Sequence, residues 1–528
     1  MPRLVDRNLL CCSSRIFHVS RLHQFVQGVG SSWLATLATV IYSLFSVPIA
    51  LRYLSVDEFG LFVLLLQVAG YFMLIEIGMS AATARILIDY KDNPNDGRYG
   101  SVILTGFYVF ATQAFIVLAV GVVASPLIVV LIGVPAAFAE IATLLLRWLA
   151  VTSALSLAFR MYGSILYANK RLDLIHAFMG GNMLFGLALL AVILAAGGGL
   201  SGLVWLFVAQ TIFTILLPLF ACHKLQLLPK KGHWGQPSMN RFRELFGFGK
   251  DIFLVNVGSQ VLEASQLIIV TRTMGLSSAA IWSVSTKLFA LVYQFITKIQ
   301  GTAIVFFSEM MVREEAETLA ARFRQIYQLT AGIGVVALAV VVTLNQPFIS
   351  VWANPSLAWS IELSALLASL VLLNALTRCG ADLIIHTKNI AAFRYVYFVE
   401  AATFAILALW LTGRFGFYGL LGTSLLCLLV FRATYTTWRM ARYFKLPART
   451  FWWTWLKRPV LCVLILMPFV LSAGWLTGTV SDPLGQLLIT SAWIGLPATI
   501  VLFFFALPRD VSNEIALHLP QVSFFGQR

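Results

Sequence analysis

The chain has 528 residues, of which 59% are hydrophobic and 11% are charged, and its mean hydropathy is +0.87. Because soluble domains carry about 25% charged residues and 45–50% apolar residues, this composition excludes a soluble enzyme, a fibrous protein and a disordered chain. The 37 Lys and Arg outnumber the 22 Asp and Glu by 15. They are scattered through short segments and form no basic face, so nucleic acid is not an expected partner. A multi-pass membrane protein is predicted.

Fourteen apolar runs are each long enough to cross a bilayer, which requires about 20 apolar residues. The runs are apolar around most of their circumference, unlike the alternating strands of a membrane barrel. The predicted fold class is therefore an all-α polytopic membrane protein with fourteen transmembrane helices. In chain order, the runs cover 25–51, 60–84, 101–132, 142–168, 174–197, 201–222, 250–271, 279–305, 327–346, 358–385, 395–412, 416–437, 459–478 and 484–506.

The distribution of positive charge predicts which side of the membrane each loop faces. With the N-terminus inside and the loops assigned alternately, the inside segments carry 30 Lys or Arg, whereas the outside loops carry only Arg52, Arg272 and Arg414. Arg432 is counted among the 30, at the inner end of its span. Because Lys and Arg are enriched in cytoplasmic loops, both termini are predicted to be cytoplasmic.

The two halves of the chain match each other at an offset of about 220 residues. For example, 52–62 matches 272–282, and Arg160 matches Arg378 at an offset of 218. Two six-helix lobes in the same orientation imply a pseudo-axis along the membrane normal and a central cavity, which is typical of carriers. The predicted domains are a cytoplasmic segment 1–24, an N-lobe 25–222, a cytoplasmic connector 223–249, a C-lobe 250–437, a second connector 438–458, two appended helices within 459–506, and a cytoplasmic tail 507–528.

Two motifs resemble those of polysaccharide flippases. Arg52-x-Leu54-x-x-x-Glu58-Phe59-Gly60-Leu61 resembles the outer turn between their helices 1 and 2, and Leu74-Ile75-Glu76-Ile77-Gly78-Met79 followed by Ala81-Ala82-x-x-Arg85 resembles their helix 2. These flippases form the polysaccharide-transport branch of the multidrug/oligosaccharidyl-lipid/polysaccharide exporter superfamily. The family often has Asp where this chain has Glu76.

The resemblance implies that the chain moves undecaprenyl-pyrophosphate-linked oligosaccharides from the cytoplasmic to the outer leaflet of the inner membrane. It also implies a role in making a surface polysaccharide, such as the O-antigen of lipopolysaccharide or an exopolysaccharide. Polysaccharide-assembly proteins are then possible partners.

Four cations lie within predicted spans, where ionisable groups are costly and usually face a bundle interior or an aqueous cavity. They are Arg147, Arg160, Lys287 and Arg378. They are candidates for binding the substrate, since guanidinium groups bind phosphate oxygens bidentately. Arg160 and Arg378 lead because they are repeat equivalents, and Arg147 is the weakest because it lies near an outer end. The alternatives are that Arg160 snorkels or forms a structural ion pair, and that Lys287 pairs with an acid such as Glu76.

Three acids lie at positions within spans where a carboxylate could exchange a proton or a sodium ion: Glu76, Glu263 and Glu400. The alternative for each is a salt bridge or a neutral, hydrogen-bonded acid. Asp382 follows Arg378 by four residues and is placed to neutralise it on one helix face.

Other function classes fit the sequence less well. The chain has no P-loop, so direct ATP use is not expected, and neither a cofactor nor a metal site is predicted. A drug/cation antiporter of the same superfamily is the main alternative, although such carriers usually have twelve spans and acids in the cavity. A polymerase or ligase for lipid-linked glycans is a further alternative, but it would typically have a large outer loop, and the predicted outer loops are short.

Overall fold

A computed structural model describes residues 7–506 except 77, 94, 387–390, 446, 479 and 481; within that range it does not describe the side chains of 7–29, 248–256, 305, 312, 386, 391, 448–455, 477 and 478. All regular secondary structure in these described residues is helical. Twelve segments are long and apolar enough to cross a membrane. The chain is therefore an all-α, multi-pass membrane protein, as the sequence predicts.

The chain divides into two compact units, Met1–Asn256 and Val257–Arg528. The boundary falls inside the predicted seventh span, seven residues after the expected start of the C-lobe. The helices of the first unit are α1 (Arg7–Tyr53), α2 (Val56–Phe72), a 3-10 turn (Met73–Glu76), α3 (Met79–Tyr90), α4 (Arg98–Ile132), α5 (Ala136–Ala158), α6 (Met161–Ala168), α7 (Leu172–Ala195), α8 (Gly199–Lys224) and the first part of α9 (Met239–Met274).

The second unit contains the remainder of α9 and all the later helices. These are α10 (Leu276–Ser285), α11 (Lys287–Val312), α12 (Ala316–Trp352), α13 (Ile361–His386), α14 (Ala391–Cys427), α15 (Thr434–Tyr443), α16 (Ala448–Gly478) and α17 (Pro483–Val501). A 3-10 turn lies at Pro355–Leu357, and π-helical segments lie at Leu428–Ala433 and Leu502–Ala506.

The twelve segments differ from the fourteen predicted spans at two places. The first is Ala392–Tyr443, which counts as one segment of 52 residues. At 1.5 Å per residue it would be about 78 Å long, more than twice the ~30 Å hydrocarbon core. It contains a non-helical glycine, Gly416, with φ 58° and ψ −138°. The second is α9, which is not among the twelve and whose side chains at 248–256 lie outside the described residues. Fourteen spans therefore stays a prediction.

The turn that carries the first flippase-like motif is closed by a capping box. The Ser55 N–H donates to Glu58 Oε2 at 2.8 Å, and the Glu58 N–H donates to Ser55 Oγ at 3.3 Å. This reciprocal pair satisfies backbone donors at the start of α2. Phe59, Gly60 and Leu61 follow and are buried. The motif therefore starts a helix and directs its apolar residues into the first unit.

The two appended helices, α16 and α17, pack on α12 in the second unit. Their buried contact includes Cys462 and Leu466 from α16, Ile494 from α17, and Val335 and Val336 from α12. The appended helices therefore form an apolar core together with α12.

Candidate functional site

In the first unit, Arg160, Glu76 and Ser80 form a connected polar cluster. Arg160 Nη2 lies 3.0 Å from Glu76 Oε2, and Arg160 Nε donates to Ser80 Oγ at 2.7 Å. Glu76 Oε1 accepts a hydrogen bond from the Ser80 backbone N–H at 3.1 Å. Gln113 on α4 donates to the Glu76 carbonyl oxygen at 3.0 Å. The structure thus brings together one predicted phosphate-binding residue and one predicted cation-coupling residue.

The cluster forms where two helices are interrupted. After α2 the chain passes through the 3-10 turn, and Gly78 takes a left-handed conformation with φ 68°. A residue with a side chain would be strained there by roughly 1–2 kcal/mol. Glu76 then caps an otherwise free N–H at the start of α3. Arg160 lies in the second interruption, between α5 and α6. Irregular backbone at membrane depth is tolerated where it is buried in protein or lines a water-filled cavity.

In the second unit, Arg378, which the sequence offset matches to Arg160, lies beside a carboxylate and a hydroxyl. Its Nε lies 3.9 Å from Asp382 Oδ2, which confirms the i, i+4 pairing suggested by the sequence, and its Nη1 donates to the Tyr293 hydroxyl at 3.4 Å. The side chains of Arg160 and Arg378 are 44% and 47% exposed. Each guanidinium therefore has a nearby carboxylate and retains an open face. Unlike Arg160, Arg378 lies within a continuous helix.

A buried ion pair joins Glu400 to Arg432. Arg432 Nε and Nη2 donate to the two carboxylate oxygens at 3.0–3.2 Å, and the side chains are only 1% and 12% exposed for Glu400 and Arg432. Arg432 Nη1 donates to Asn374 Oδ1 at 3.0 Å, and the guanidinium lies 5.0 Å from the Tyr397 ring centroid. This forked geometry satisfies most donors of the guanidinium, as a buried charge requires.

Arg432 is the residue that the sequence reasoning missed. The loop tally placed it at the inner end of a span, but it lies in the π-helical segment Leu428–Ala433 and is buried against Glu400. A signal was available, since Arg432 lies inside the predicted 416–437 run and is flanked by Phe431 and Ala433. An arginine between apolar residues of a span is a candidate for a buried pair.

A cavity of about 50 Å³ lies beside this ion pair. It brings together Glu263 and Glu400, two of the predicted cation-coupling residues. Within the described part of the chain, Glu263 forms no ion pair, and its Oε1 accepts a 3.4 Å hydrogen bond from the Ser259 hydroxyl. The cavity is lined by Ser259, Leu262, Glu263, Gln266, Leu370, Asn374, Glu400, Phe404, Ser424 and Arg432.

The two remaining predicted cations lie apart from these clusters. Lys287 is the first residue of α11 and is half-buried, and Arg147 is an exposed residue of α5. Neither forms an ion pair with another residue that the structure describes. Among the described residues, no group of three or more His, Cys, Asp or Glu could hold a metal ion.

The fold closely resembles that of known transporters. An inward-facing multidrug resistance MATE family transporter of the MOP superfamily is 10% identical with a TM-score of 0.67, and the match covers 80% of this chain and 99% of that chain. The lipid II flippase MurJ in an inward closed conformation is 12% identical with a TM-score of 0.68, and covers 93% of this chain and 99% of that one. An outward-facing MATE transporter is 12% identical with a TM-score of 0.56, covering 80% of this chain and 96% of that chain.

The chain thus shares its fold with these solved transporters. No curated protein matches the sequence. A family model described as "Polysaccharide biosynthesis protein" matches residues 49–352, more than half of the chain. The chain belongs to this polysaccharide biosynthesis family, which confirms the family suggested by the sequence motifs.

Proposed function

We propose that this chain is a flippase for polyprenyl-pyrophosphate-linked oligosaccharides, moving them from the cytoplasmic to the outer leaflet for surface polysaccharide synthesis. Membership of the polysaccharide biosynthesis family supports the pathway. The observation that carries the proposal is the pair of half-exposed arginines, Arg160 and Arg378, which the sequence offset of 218 residues matches to each other. Two guanidinium cations would not attract a neutral drug and would repel a cationic one, whereas they would bind the negatively charged oxygens of a pyrophosphate.

The proposed substrate contacts follow from guanidinium chemistry. A guanidinium presents a planar fork of N–H donors that matches two phosphate oxygens. Glu76 and Ser80 orient the Arg160 fork, and Asp382 and Tyr293 lie beside that of Arg378. Because both side chains are half-exposed, each has donors left for a ligand. Lys287 and Arg147 remain candidates for secondary contacts.

The structure also narrows the proposal for cation coupling. Glu76 is paired with Arg160, and Glu400 is paired with Arg432. Glu263 lines the cavity without an ion pair in the described residues. It is the carboxylate whose charge could be compensated by an incoming proton or sodium ion. We therefore assign Glu263 as the principal exchange group, with Glu400 held as a fixed anion by Arg432.

The proposed transport cycle is alternating access in the inner membrane, with both termini cytoplasmic. Transporters of this fold have been solved in inward-facing and outward-facing conformations. The cation gradient would drive the cycle, and no ATP site is required. Polysaccharide-assembly proteins would supply and consume the lipid-linked glycan.

The direct test is translocation in proteoliposomes that contain the purified chain and an undecaprenyl-pyrophosphate-linked oligosaccharide. A membrane-impermeant glycosidase reports the glycan that has crossed. We expect Arg160→Ala and Arg378→Ala each to slow translocation at least tenfold, roughly 1.4 kcal/mol of lost stabilisation. Lysine at either position should rescue only partly, because a point charge does not reproduce a fork.

The matched control is Arg414→Lys. Arg414 stacks on Trp410 at 4.4 Å and is predicted to lie in an outer loop, so this variant should translocate at the wild-type rate. Lysine snorkels as well as arginine does. If both lysine variants were fully active at normal expression, Arg160 and Arg378 would be membrane anchors and the headgroup assignment would be wrong.

A drug/cation antiporter is the second candidate, favoured by the likeness to the inward-facing MATE transporter. The greater coverage of this chain by the lipid II flippase, 93% against 80%, favours the flippase. The same proteoliposomes separate the two, since an antiporter would export a fluorescent cationic dye and leave the lipid-linked glycan in place.

A further inference from the structure

We infer that Asn374 and Tyr293 form a relay that couples substrate binding at Arg378 to cation binding in the Glu263 cavity. The inference rests on the proposed function, and it assigns a positioning role to two uncharged residues. Both lie in the second unit, Tyr293 on α11 and Asn374 on α13.

The relay is a continuous series of polar contacts. Arg432 Nη1 donates to Asn374 Oδ1 at 3.0 Å. Asn374 Nδ2 donates to the Tyr293 hydroxyl at 3.4 Å, and Arg378 Nη1 donates to the same oxygen at 3.4 Å. The series therefore runs from Glu400 through Arg432, Asn374 and Tyr293 to Arg378, with Asp382 beside Arg378. The two contacts at Tyr293 are longer than the usual range of about 2.7–3.2 Å for N–H···O hydrogen bonds.

The orientation of the Asn374 amide is determined by its neighbours. A guanidinium has donors only, so the amide oxygen must face Arg432 and the amide nitrogen must face Tyr293. A flipped amide would place two donors against each other. Because the amide has this one orientation, a movement of Arg432 that pulls on the Asn374 oxygen also moves the Asn374 nitrogen away from or toward the Tyr293 hydroxyl.

Asn374 also lies close to both the proposed headgroup site at Arg378 and the cavity that contains Glu263. It precedes Arg378 by four residues, so the two lie on one face of α13, and it lines the cavity that contains Glu263 and Glu400. A cation beside Glu263 would repel Arg432 across this cavity and alter its hydrogen bond to Asn374. A phosphate that withdraws Arg378 from Tyr293 would alter the relay at its other end.

Coupling between two sites is reciprocal and typically amounts to a 5–150-fold change in affinity. We therefore expect a saturating cation to change the affinity for the headgroup about tenfold. The charged and titratable groups around the relay are Glu263, Tyr293, Arg378, Asp382, Tyr397, Glu400 and Arg432. Sodium is therefore titrated at constant pH, and pH is varied separately at constant sodium.

The experiment measures the affinity of the full chain in lipid nanodiscs for undecaprenyl pyrophosphate, across both titrations. We expect Tyr293→Phe, which removes only the hydroxyl, to lose most of the cation-induced shift, measured as the ratio of the variant's own affinities with and without a saturating cation. Asn374→Leu, which removes both amide contacts, should behave in the same way. Tyr293→Phe keeps the test open if Asn374→Leu does not fold.

The control is Asn345→Leu, another buried asparagine of the second unit, which donates to the Ser285 carbonyl and to Ser364. It should destabilise the protein and leave the shift intact. The relay would be refuted by a wild-type shift in Tyr293→Phe, or by a wild-type protein whose affinity responds to neither cation. Failure of the proposed headgroup site has a different signature, which is unchanged undecaprenyl pyrophosphate binding by Arg378→Ala.

Discussion

At the residue scale, the Glu400–Arg432 pair leads us to predict that Glu400 stabilises the protein and is not the residue that exchanges the coupling cation. Both side chains are nearly buried, and Arg432 donates three hydrogen bonds to the Glu400 carboxylate. Removing one partner of a buried pair leaves an uncompensated charge, which costs about 3–5 kcal/mol. We expect Glu400→Gln to lower the yield and the Tm of the purified protein.

The paired replacement Glu400→Leu with Arg432→Met tests the physical reason. Replacing a whole buried pair by apolar residues is often neutral or stabilising, so the double variant should recover much of the Tm lost in Glu400→Gln. A double variant no more stable than the single one would show that the destabilisation does not come from the unpaired Arg432 charge. Thermal unfolding in one detergent provides the measurement.

Glu263 is expected to behave in the opposite way. Glu263→Gln removes a charge that has no ion pair in the described residues, so expression and Tm should stay at wild-type values. Gradient-driven translocation should fall at least tenfold, while its rate without a gradient should change little. The control is Glu309→Gln, which breaks an exposed pair with Arg313; such surface pairs contribute about 0–1 kcal/mol. If Glu76, Glu263 and Glu400 variants all kept normal coupling across a pH series, the exchange site would lie elsewhere.

The sequence identified the charged residues of these clusters more readily than their partners. Rarity within apolar runs is enough to single out Arg160, Arg378, Glu76 and Glu400. The Arg378–Asp382 contact was predictable because i, i+4 spacing is local. The contact of Arg160 with Glu76 joins residues 84 positions apart, and no local rule specifies it.

At the element scale, apolar composition predicted where helices run but not where they break. The predicted spans 60–84 and 142–168 contain the interruptions at Gly78 and Phe159. Hydropathy averaged over a whole span does not detect them, because the helices on both sides of each break are apolar enough to count as one span. The local indications were an acid and a glycine two residues apart, Glu76 and Gly78, at the first break, and the charged Arg160 directly after Phe159 at the second.

The connector between α8 and α9 supplies an element-scale prediction. It is held against α4 by Tyr99, whose hydroxyl donates to the Leu227 carbonyl at 3.2 Å, and by Ser101, whose hydroxyl donates to the Gln236 carbonyl at 2.6 Å. Gly100 on α4 faces Trp234 of the connector, and a Cβ at position 100 would overlap with the Trp234 carbonyl group. Its lack of a side chain is what lets the connector approach α4.

We therefore expect Gly100→Ala to loosen the connector. Overlap in packed regions typically costs 1–3 kcal/mol, so trypsin should cut after the exposed Lys230 or Lys231 at least fivefold faster, since 1 kcal/mol corresponds to a factor of about five. Gly163→Ala is the matched control, because nothing lies within 4 Å of its added Cβ. Equal cleavage rates for the two variants would show that the close approach does not hold the connector.

At the scale of the whole molecule, the charge asymmetry and the twelve apolar helical segments are separate lines of support for a multi-pass membrane protein. The residues 49–352 matched by the family model run from the end of α1 to the end of α12 and cross the boundary between the two units. The fold class could be predicted because a bilayer imposes long apolar helices. The exact number of crossings could not be predicted in the same way. The segment Ala392–Tyr443 is long enough to cross twice, and α9 is not among the twelve candidate segments.

Topology mapping decides that count and is the last prediction. The 30-to-3 asymmetry in Lys and Arg predicts that reporter fusions after residue 236 face the cytoplasm. Fusions after 354 should face outside, since α9, α10 with α11, and α12 would make three crossings in between. If 236 and 354 reported the same side, one of these three crossings would not exist, and α9 is the one that the twelve candidate segments do not contain.

Fusions after 413 and 444 test the 52-residue segment in the same way. Opposite sides, outside at 413 and inside at 444, would establish that it crosses a second time after Gly416, whereas a common side would reduce the fold to thirteen crossings and place the termini on opposite faces.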